Sequence, residues 1–251
     1  KFKRVVNTVA LADLVKSANC DFIDSGSITT DERVLEPKNL QINAQFCKDD
    51  LLSDWQAAQM NAGASNSGMS NDFAAFVMSY VGENIADYIE NSVWKGNGSG
   101  DEFTGLTHPS AGLLLNASVV DVTATTLTAT NIGAEIGKVV DAIPTGVYGK
   151  DDLYIYMNSK TYRLYLQHES NNGTSWYGMG SMNAEGVYTP VYQGVKIVVS
   201  DGLLDDQMVA ARSSNLFFGT DLLSDTTQIK MLDMSDLDGS NNLRLVAKFS
   251  A

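Results

Sequence analysis

Apolar residues recur at helical spacing most clearly between Asp72 and Trp94. Phe73, Phe76, Val77, Tyr80, Val81, Ile85, Tyr88, Ile89 and Val93 return every three or four positions, with Glu83, Asp87 and Glu90 elsewhere on the circumference. The spacing predicts a single helix roughly 34 Å long at the usual rise per residue. Ser70 or Asn71 is placed to cap it by accepting the first free amides, and Gly96, Gly98 and Gly100 end it. The Asn-, Gly- and Ser-rich run Asn61 to Asn71 before it reads as a loop.

Upstream, Val5, Val6, Val9, Leu11, Leu14 and Val15 predict an N-terminal arm over residues 1–19 with one or two helical turns. Phe22, Ile23, Ile28, Val34, Leu35, Leu40, Ile42 and Phe46 lie spread among polar residues and are interrupted by Pro37. This pattern predicts an extended hairpin over 20–54. A tip near Arg33 and Val34 would set Cys20 and Cys47 opposite each other at its base.

Downstream, residues 105–130 are rich in β-branched side chains and predict a loop followed by a strand. Asn131 is placed to cap a second helix carrying Ile132, Ile136, Val139, Val140 and Ile143, stopped by Pro144 and Gly146. A strand DLYIYMN and a third helix from Ser159 to Gln167 follow. Further strands are expected at VKIVVSD, MVAARS, LFFGTD, QIKMLDM and LRLVAKFSA. The class is α+β, and no internal repeat is present.

Composition narrows the function classes. The chain has 251 residues, 44% of them hydrophobic, enough to bury a sizeable core. Its net charge of −13 argues against a nucleic-acid reader, because phosphate binding needs clustered cations. Lys1, Lys3 and Arg4 form one small basic cluster, read as a terminus or an arm that touches an acidic partner. No apolar run reaches the ~18 residues of a membrane-spanning helix, and no membrane partner is expected. No secretory leader pattern opens the chain, and Cys20 and Cys47 are expected as reduced thiols.

Chemistry-bearing motifs are sparse. His108 and His168 lie outside any zinc-ligand spacing or triad pattern, and each reads as structural. NGSGDEFTG follows a helix and lacks a phosphate-binding lysine, so it reads as a Gly-rich turn. Asp49-Asp50, Asp151-Asp152 and Asp205-Asp206 read as caps and solvated turns. Asp233, Asp236 and Asp238 before Gly239 resemble a calcium loop only superficially, lacking the distal bidentate Glu. The expectation is no enzyme: no catalytic, cofactor-binding or metal-ligating residue is assigned and no cofactor is expected. The aromatic segment Tyr154 to Tyr177, with Trp176, supports a rival reading as a β-rich carbohydrate- or surface-binding module.

The order of elements resembles the major capsid protein family of tailed bacteriophages, the Hong Kong 97-type fold shared with encapsulins. The resemblance rests on the spine-like helix Asp72 to Trp94, the GxFxGL-like segment Gly100 to Leu106, DLYIYMNSKTYRLYLQ, and VYQGVKIVVSDGL followed by turn-linked strands. It implies an arm at 1–19 and an extended loop at 20–54 lying over a neighbouring subunit. It further implies a peripheral domain at 55–125 and 226–251 containing the spine helix 72–94, and an axial domain at 126–225. The implied function is a structural subunit that self-assembles into capsomers of an icosahedral shell enclosing double-stranded DNA, with an encapsulin-like compartment as the alternative. Implied partners are copies of itself in hexamers and pentamers, scaffolding, portal and decoration proteins, and packaged DNA held without sequence preference. The implied location is the virion, assembled in the bacterial cytoplasm.

Overall fold

The computed structural model describes residues 4–12, 17, 20, 27–35, 37–47, 71–99, 102–108, 112, 119–172, 180–182, 188–219, 227–235 and 237–250. Two compact units divide the chain, one made of Lys1–Ala74 with Phe218–Ala251, the other of Ala75–Phe217.

In the first unit, β1 (Arg4–Ala12) pairs antiparallel with β2 (Ser27–Leu35), Arg4 facing Leu35 and Ala12 facing Ser27. The expected hairpin folded about Arg33 is therefore replaced. Arg33 lies within β2 opposite Val6, and the chain reverses between 12 and 27. The arm is a strand over 4–12 instead of helical turns, consistent with its β-branched valines. β3 (Asn39–Cys47) does not return to β2 but pairs with β10 (Asn242–Ser250), so Cys47 faces Asn242 instead of Cys20. β9 (Thr227–Asp233) completes a three-stranded sheet with β10 at its centre. β10 has the two-residue period of a sheet with one wet face: Leu243, Leu245, Ala247 and Phe249 are buried, whereas Arg244 and Lys248 are exposed.

The second unit holds α1 (Asn71–Lys95), of which residues from Ala75 onward belong to it. It also holds α2 (Ile132–Asp141), β4 (Leu153–Met157), α3 (Ser159–Asn171), β5 (Gly180–Met182), β6 (Tyr188–Tyr192), β7 (Val195–Val199) and β8 (Met208–Arg212). The sheet order is β5-β6-β7-β4-β8, with β4 parallel to β7 and antiparallel to β8. Leu153, Ile155 and Met157 point to one face, where they form a core with Ile132, Ile136 and Val140 of α2 and Tyr165 of α3. Complete burial of a side chain such as Ile155 is worth about 2–3 kcal/mol. α2 and α3 approach closely because position 133 is glycine: a Cβ there would lie 2.5 Å from His168 Nε2. The β6–β7 turn is a two-residue reversal, with Gln193 at φ 45° and Gly194 at φ 84°, the mirror-image turn that suits strand twist.

Among the described residues, two expected strands are not formed. Residues 216–219 of LFFGTD are irregular, and Phe217 and Phe218 are half exposed, with no face to alternate toward. Residues 119–128 are irregular too, and their threonines bond to side chains instead of to a neighbouring strand. Thr125 Oγ1 donates to Glu135 at 2.9 Å, and the Thr128 N–H donates to Asn131 Oδ1 at 2.7 Å. Asn131 thus pins the preceding loop instead of capping α2, while Lys138 and Thr125 hold the Glu135 carboxyl below its ordinary pKa.

The edge strand β8 is clamped to β4 by charge. Arg212 Nε donates to both carboxylate oxygens of Asp152, at 2.9 and 3.0 Å, and Ser214 Oγ donates to one of them at 2.5 Å. Bonding to Arg212 first, then to Ser214, lowers the Asp152 pKa from 3.8 to about 2. A depressed carboxylate stabilises the fold fully above its unfolded pKa and loses that contribution as pH falls through the folded value. Thermal unfolding should therefore show a Tm decline between pH 4 and 2 that is smaller in Asp152→Asn than in the wild type. Equal declines would refute the clamp.

Candidate functional site

The best-built junction in the second unit lies at the C-terminal end of α1. A helix leaves its last four carbonyls without intrahelical partners, and here the following segment folds back to meet them. The Leu106 N–H donates to Val93 O and the Thr107 N–H to Trp94 O, each at 2.8 Å, and Thr107 Oγ1 adds a bond to Trp94 O at 2.7 Å. The Gly105 N–H donates to Gly96 O at 2.8 Å, and Asn97 bridges Thr104. The chain crosses itself so closely that glycine is required. A Cβ at Gly105 would stand 2.5 Å from both Trp94 O and Gly96 N, and one at Gly96 would stand 2.2 Å from Phe103 O. The Gly-rich segment read from the sequence as a turn is thus the cap of the long helix.

The same helix end is seated on the five-stranded sheet. Trp94, 4% exposed, packs on Tyr156 of β4 with ring centroids 5.3 Å apart, on the face opposite α2 and α3. Trp94 Nε1 donates to Glu90 Oε1 at 3.2 Å, and Ser200 Oγ donates to the same oxygen in a short bond. Gly202 lets the loop after β7 touch the helix, since a Cβ there would lie 2.3 Å from Glu90 O. Desolvation raises the pKa of Tyr156. Nothing in the periodicity of α1 signals these partners, of which Tyr156 lies in β4 and Ser200 and Gly202 lie after β7.

Along α1 the pattern narrows. Val77, Ile85 and Trp94 are buried, but Phe76 is 50% and Tyr80 60% exposed, their rings stacked 6.4 Å apart. These two residues belong to the predicted apolar face and keep half or more of their surface exposed.

Near this junction lies an open polar depression of about 650 Å³ lined by Lys95, Asn158, Lys160, Arg163, Asp201 and Asp205, among others. Its carboxylates are engaged. Asp205 accepts from Lys160 at 2.5 Å and from Asn158 at 2.8 Å, while Asp201 accepts from the Ser159 N–H at 3.0 Å. Lys160 holds the Asp205 pKa low, and bonding from Ser159 does the same for Asp201. Asn158 Oδ1 accepts the Thr161 N–H at 2.8 Å and is the real N-cap of α3. The cluster ties the start of α3 to the β7–β8 loop.

The other candidates make the following contacts where they are described. His168 Nδ1 lies 2.8 Å from Ala129 O and its Nε2 2.9 Å from Asn172 Nδ2, so both ring nitrogens are used. His108 sits in the turn after Thr107, its N–H donating to Gly105 O at 3.2 Å. Asp233 accepts from Ser235 and Asp238 from Ser240, each a local turn bond, whereas Asp236 lies outside the described residues. Among the described residues no helix is long and apolar enough to cross a membrane. Tyr154 and Tyr156 pack against each other and Tyr165 against Tyr192, while Trp176, Tyr177 and Asp49-Asp50 lie outside the described residues.

Comparison with known proteins gives a consistent result at the level of fold. No protein-family model matches the chain, and no curated protein matches it. Among solved structures, it is similar to the capsid of the native GTA particle over 99% of its length and 79% of that chain, with 12% identity and a TM-score of 0.54. It is similar to a chain of Gordonia phage Cozz over 98% of its length and 75% of that chain, with 10% identity and a TM-score of 0.54. The capsid of the cyanophage P-SCSP1u matches over 99% and 78%, with 13% identity and a TM-score of 0.50. The chain shares the fold of phage capsid proteins over nearly its whole length.

Proposed function

We propose that this chain is a structural capsid subunit that assembles with copies of itself into the shell of a virion. The observation that carries the reading is the likeness in fold to phage capsid chains over 99% of this chain. Physical features support it independently. A two-stranded hairpin such as β1–β2 is marginal alone and needs a partner to rest on. Phe76, Tyr80 and Phe217 in one unit and Phe218 and Leu237 in the other expose large apolar side chains, as a subunit with many different neighbours requires.

In this reading the chain has the Hong Kong 97-type architecture, with residues 126–225 as an axial domain and 55–125 with 226–251 as a peripheral domain. The hairpin built from β1 and β2 takes the part of the extended loop. Hexamers and pentamers enclose double-stranded DNA, which the acidic chain contacts sparingly. Scaffolding, portal and decoration proteins are the further partners of such a shell, and its role is structural instead of catalytic.

Negative-stain electron microscopy of the purified chain, with and without a scaffolding protein, tests this. Rings or closed shells are expected. A preparation that stays monomeric at all concentrations and salt conditions would overturn it.

A further inference from the structure

The return that caps α1 holds a residue pair with chemistry of its own. Asn97 is exposed and is followed by Gly98. Its side-chain carbonyl accepts two hydrogen bonds of 2.7 Å, one from the Ser99 N–H and one from Ser99 Oγ. The surrounding loop is fixed: the Asn97 N–H donates to Glu102 Oε2 at 3.0 Å, the Glu102 N–H donates to Ser99 O at 3.3 Å, and Asn97 bridges Thr104. Gly98 has φ 73°, which a residue without Cβ adopts at no steric cost.

The backbone nitrogen after an asparagine lies close enough to the side-chain carbonyl carbon to close a small ring on it. Glycine leaves that nitrogen unshielded by a side chain. Attack places negative charge on Oδ1, so donors already aimed at this oxygen stabilise the transition state. The chain has one other Asn-Gly pair, Asn172-Gly173, and it is built differently. Asn172 closes α3, and its Nδ2 is engaged 2.9 Å from His168 Nε2, so the group that would leave is held. Among the described residues no donor bonds to the Asn172 side-chain carbonyl.

We infer that Asn97 is a site of self-modification in the folded chain. The Gly98 nitrogen bonds to Asn97 Cγ as the Cγ–Nδ2 bond breaks, and the Gly98 proton departs with Nδ2 as ammonia. Water then opens the resulting succinimide at either carbonyl and leaves aspartate or isoaspartate. Water is the only co-reactant. Either product sets a new carboxylate near Glu102 and just past the negative end of α1, where an anion is unfavourable. Isoaspartate also adds a methylene to the backbone inside the return, so the modified chain has a loosened cap. A folded chain is all that this chemistry needs, and it proceeds whether or not shells form.

Peptide mapping by mass spectrometry of the folded protein held at neutral pH, with isoaspartate resolved by chromatography, tests it. Asn97 should convert about tenfold faster than Asn172, the effect of two exposed donors and well short of the roughly hundredfold or more that one donor gives in an enclosed site. In the urea-unfolded chain the two pairs should convert at equal rates, because each is followed by a hydroxyl residue and neither keeps its partners. Ser99→Ala removes one donor and keeps the other, and should slow Asn97 by about threefold while Asn172 is unchanged. Circular dichroism establishes that this variant is folded. The fully converted chain should melt about 2–4 °C lower. Asn97 converting no faster than Asn172 in the folded chain overturns the inference, and so does a lead that persists in urea. A Ser99→Ala chain that converts at the wild-type rate or above overturns the role of the donors. An unchanged Tm after full conversion overturns the loosened cap.

Discussion

Trp94→Ala is expected to destabilise the folded chain by about 3–5 kcal/mol, the usual cost of emptying a buried tryptophan site. The side chain fills the contact between the end of α1 and Tyr156 of β4, and its indole N–H donates to Glu90, which also accepts from Ser200. Removing the ring leaves a cavity on the sheet, and Glu90 loses one of its two donors. Urea unfolding followed by circular dichroism reads the change directly. Trp94→Phe should recover more than half of the loss, because a ring still packs on Tyr156 while the N–H is gone. If Trp94→Ala unfolds within about 0.5 kcal/mol of the wild type, a typical surface effect, the junction does not hold the helix.

Gly105→Ala should be nearly as severe, at about 3 kcal/mol, the upper end of overpacking costs. One methyl would press on Trp94 O and Gly96 N, both backbone atoms, so no side chain can swing aside. The strand-like return of residues 104–107 must then lift away and leave the carbonyls of Val93 and Trp94 without donors. Gly82→Ala is the matched control. Gly82 lies inside α1 with nothing within 4 Å of the added methyl, and alanine there should stabilise the chain by about 0.5–1 kcal/mol. A Gly105→Ala protein as stable as the Gly82→Ala protein would show that the return does not cap the helix. In the capsid reading, loss of this cap should also lower the yield of shells in the same preparation.

These predictions depend on features that differ in how far the sequence announces them. The helix α1 is announced because its signal is local: the apolar spacing, the preceding loop and the terminal glycines all fall between Asn61 and Gly100. The segment GDEFTG is visible as a turn, but the need for Gly96 and Gly105 is not, because it arises only when two stretches of backbone cross. Asn131 and Asn158 are equally good caps on paper. The first bonds Thr125, Thr126 and Thr128 in the loop before α2, and the second takes the N-cap position of α3. The choice depends on which loop each side chain can reach.

The strands divide in the same way. LYIYM, VKIVV, MVAAR, QIKML and LRLVAKF were legible because alternation with β-branched residues is a property of the strand itself. Pairing is a property of two strands. An alternating strand with one apolar face can be satisfied by any partner that covers the same core, so the sequence does not say that β2 joins β1 or that β3 crosses nearly two hundred residues to join β10. Residues 216–219 of LFFGTD are irregular for that reason, having the composition of a strand and no strand partner among the described residues.

By itself, then, the sequence determined the long helix, the positions of most strands, the acidic surface and the order of elements that pointed to a capsid fold. Each of these is written in the spacing of neighbouring residues or in their sum. Only the tertiary structure decided the hairpin's register, the seating of Trp94 on Tyr156 and the crossing of Gly96 and Gly105 at the end of α1. Those features are set by groups apart in the chain that meet only when the core closes, and burial, which rewards the meeting, has no local signature.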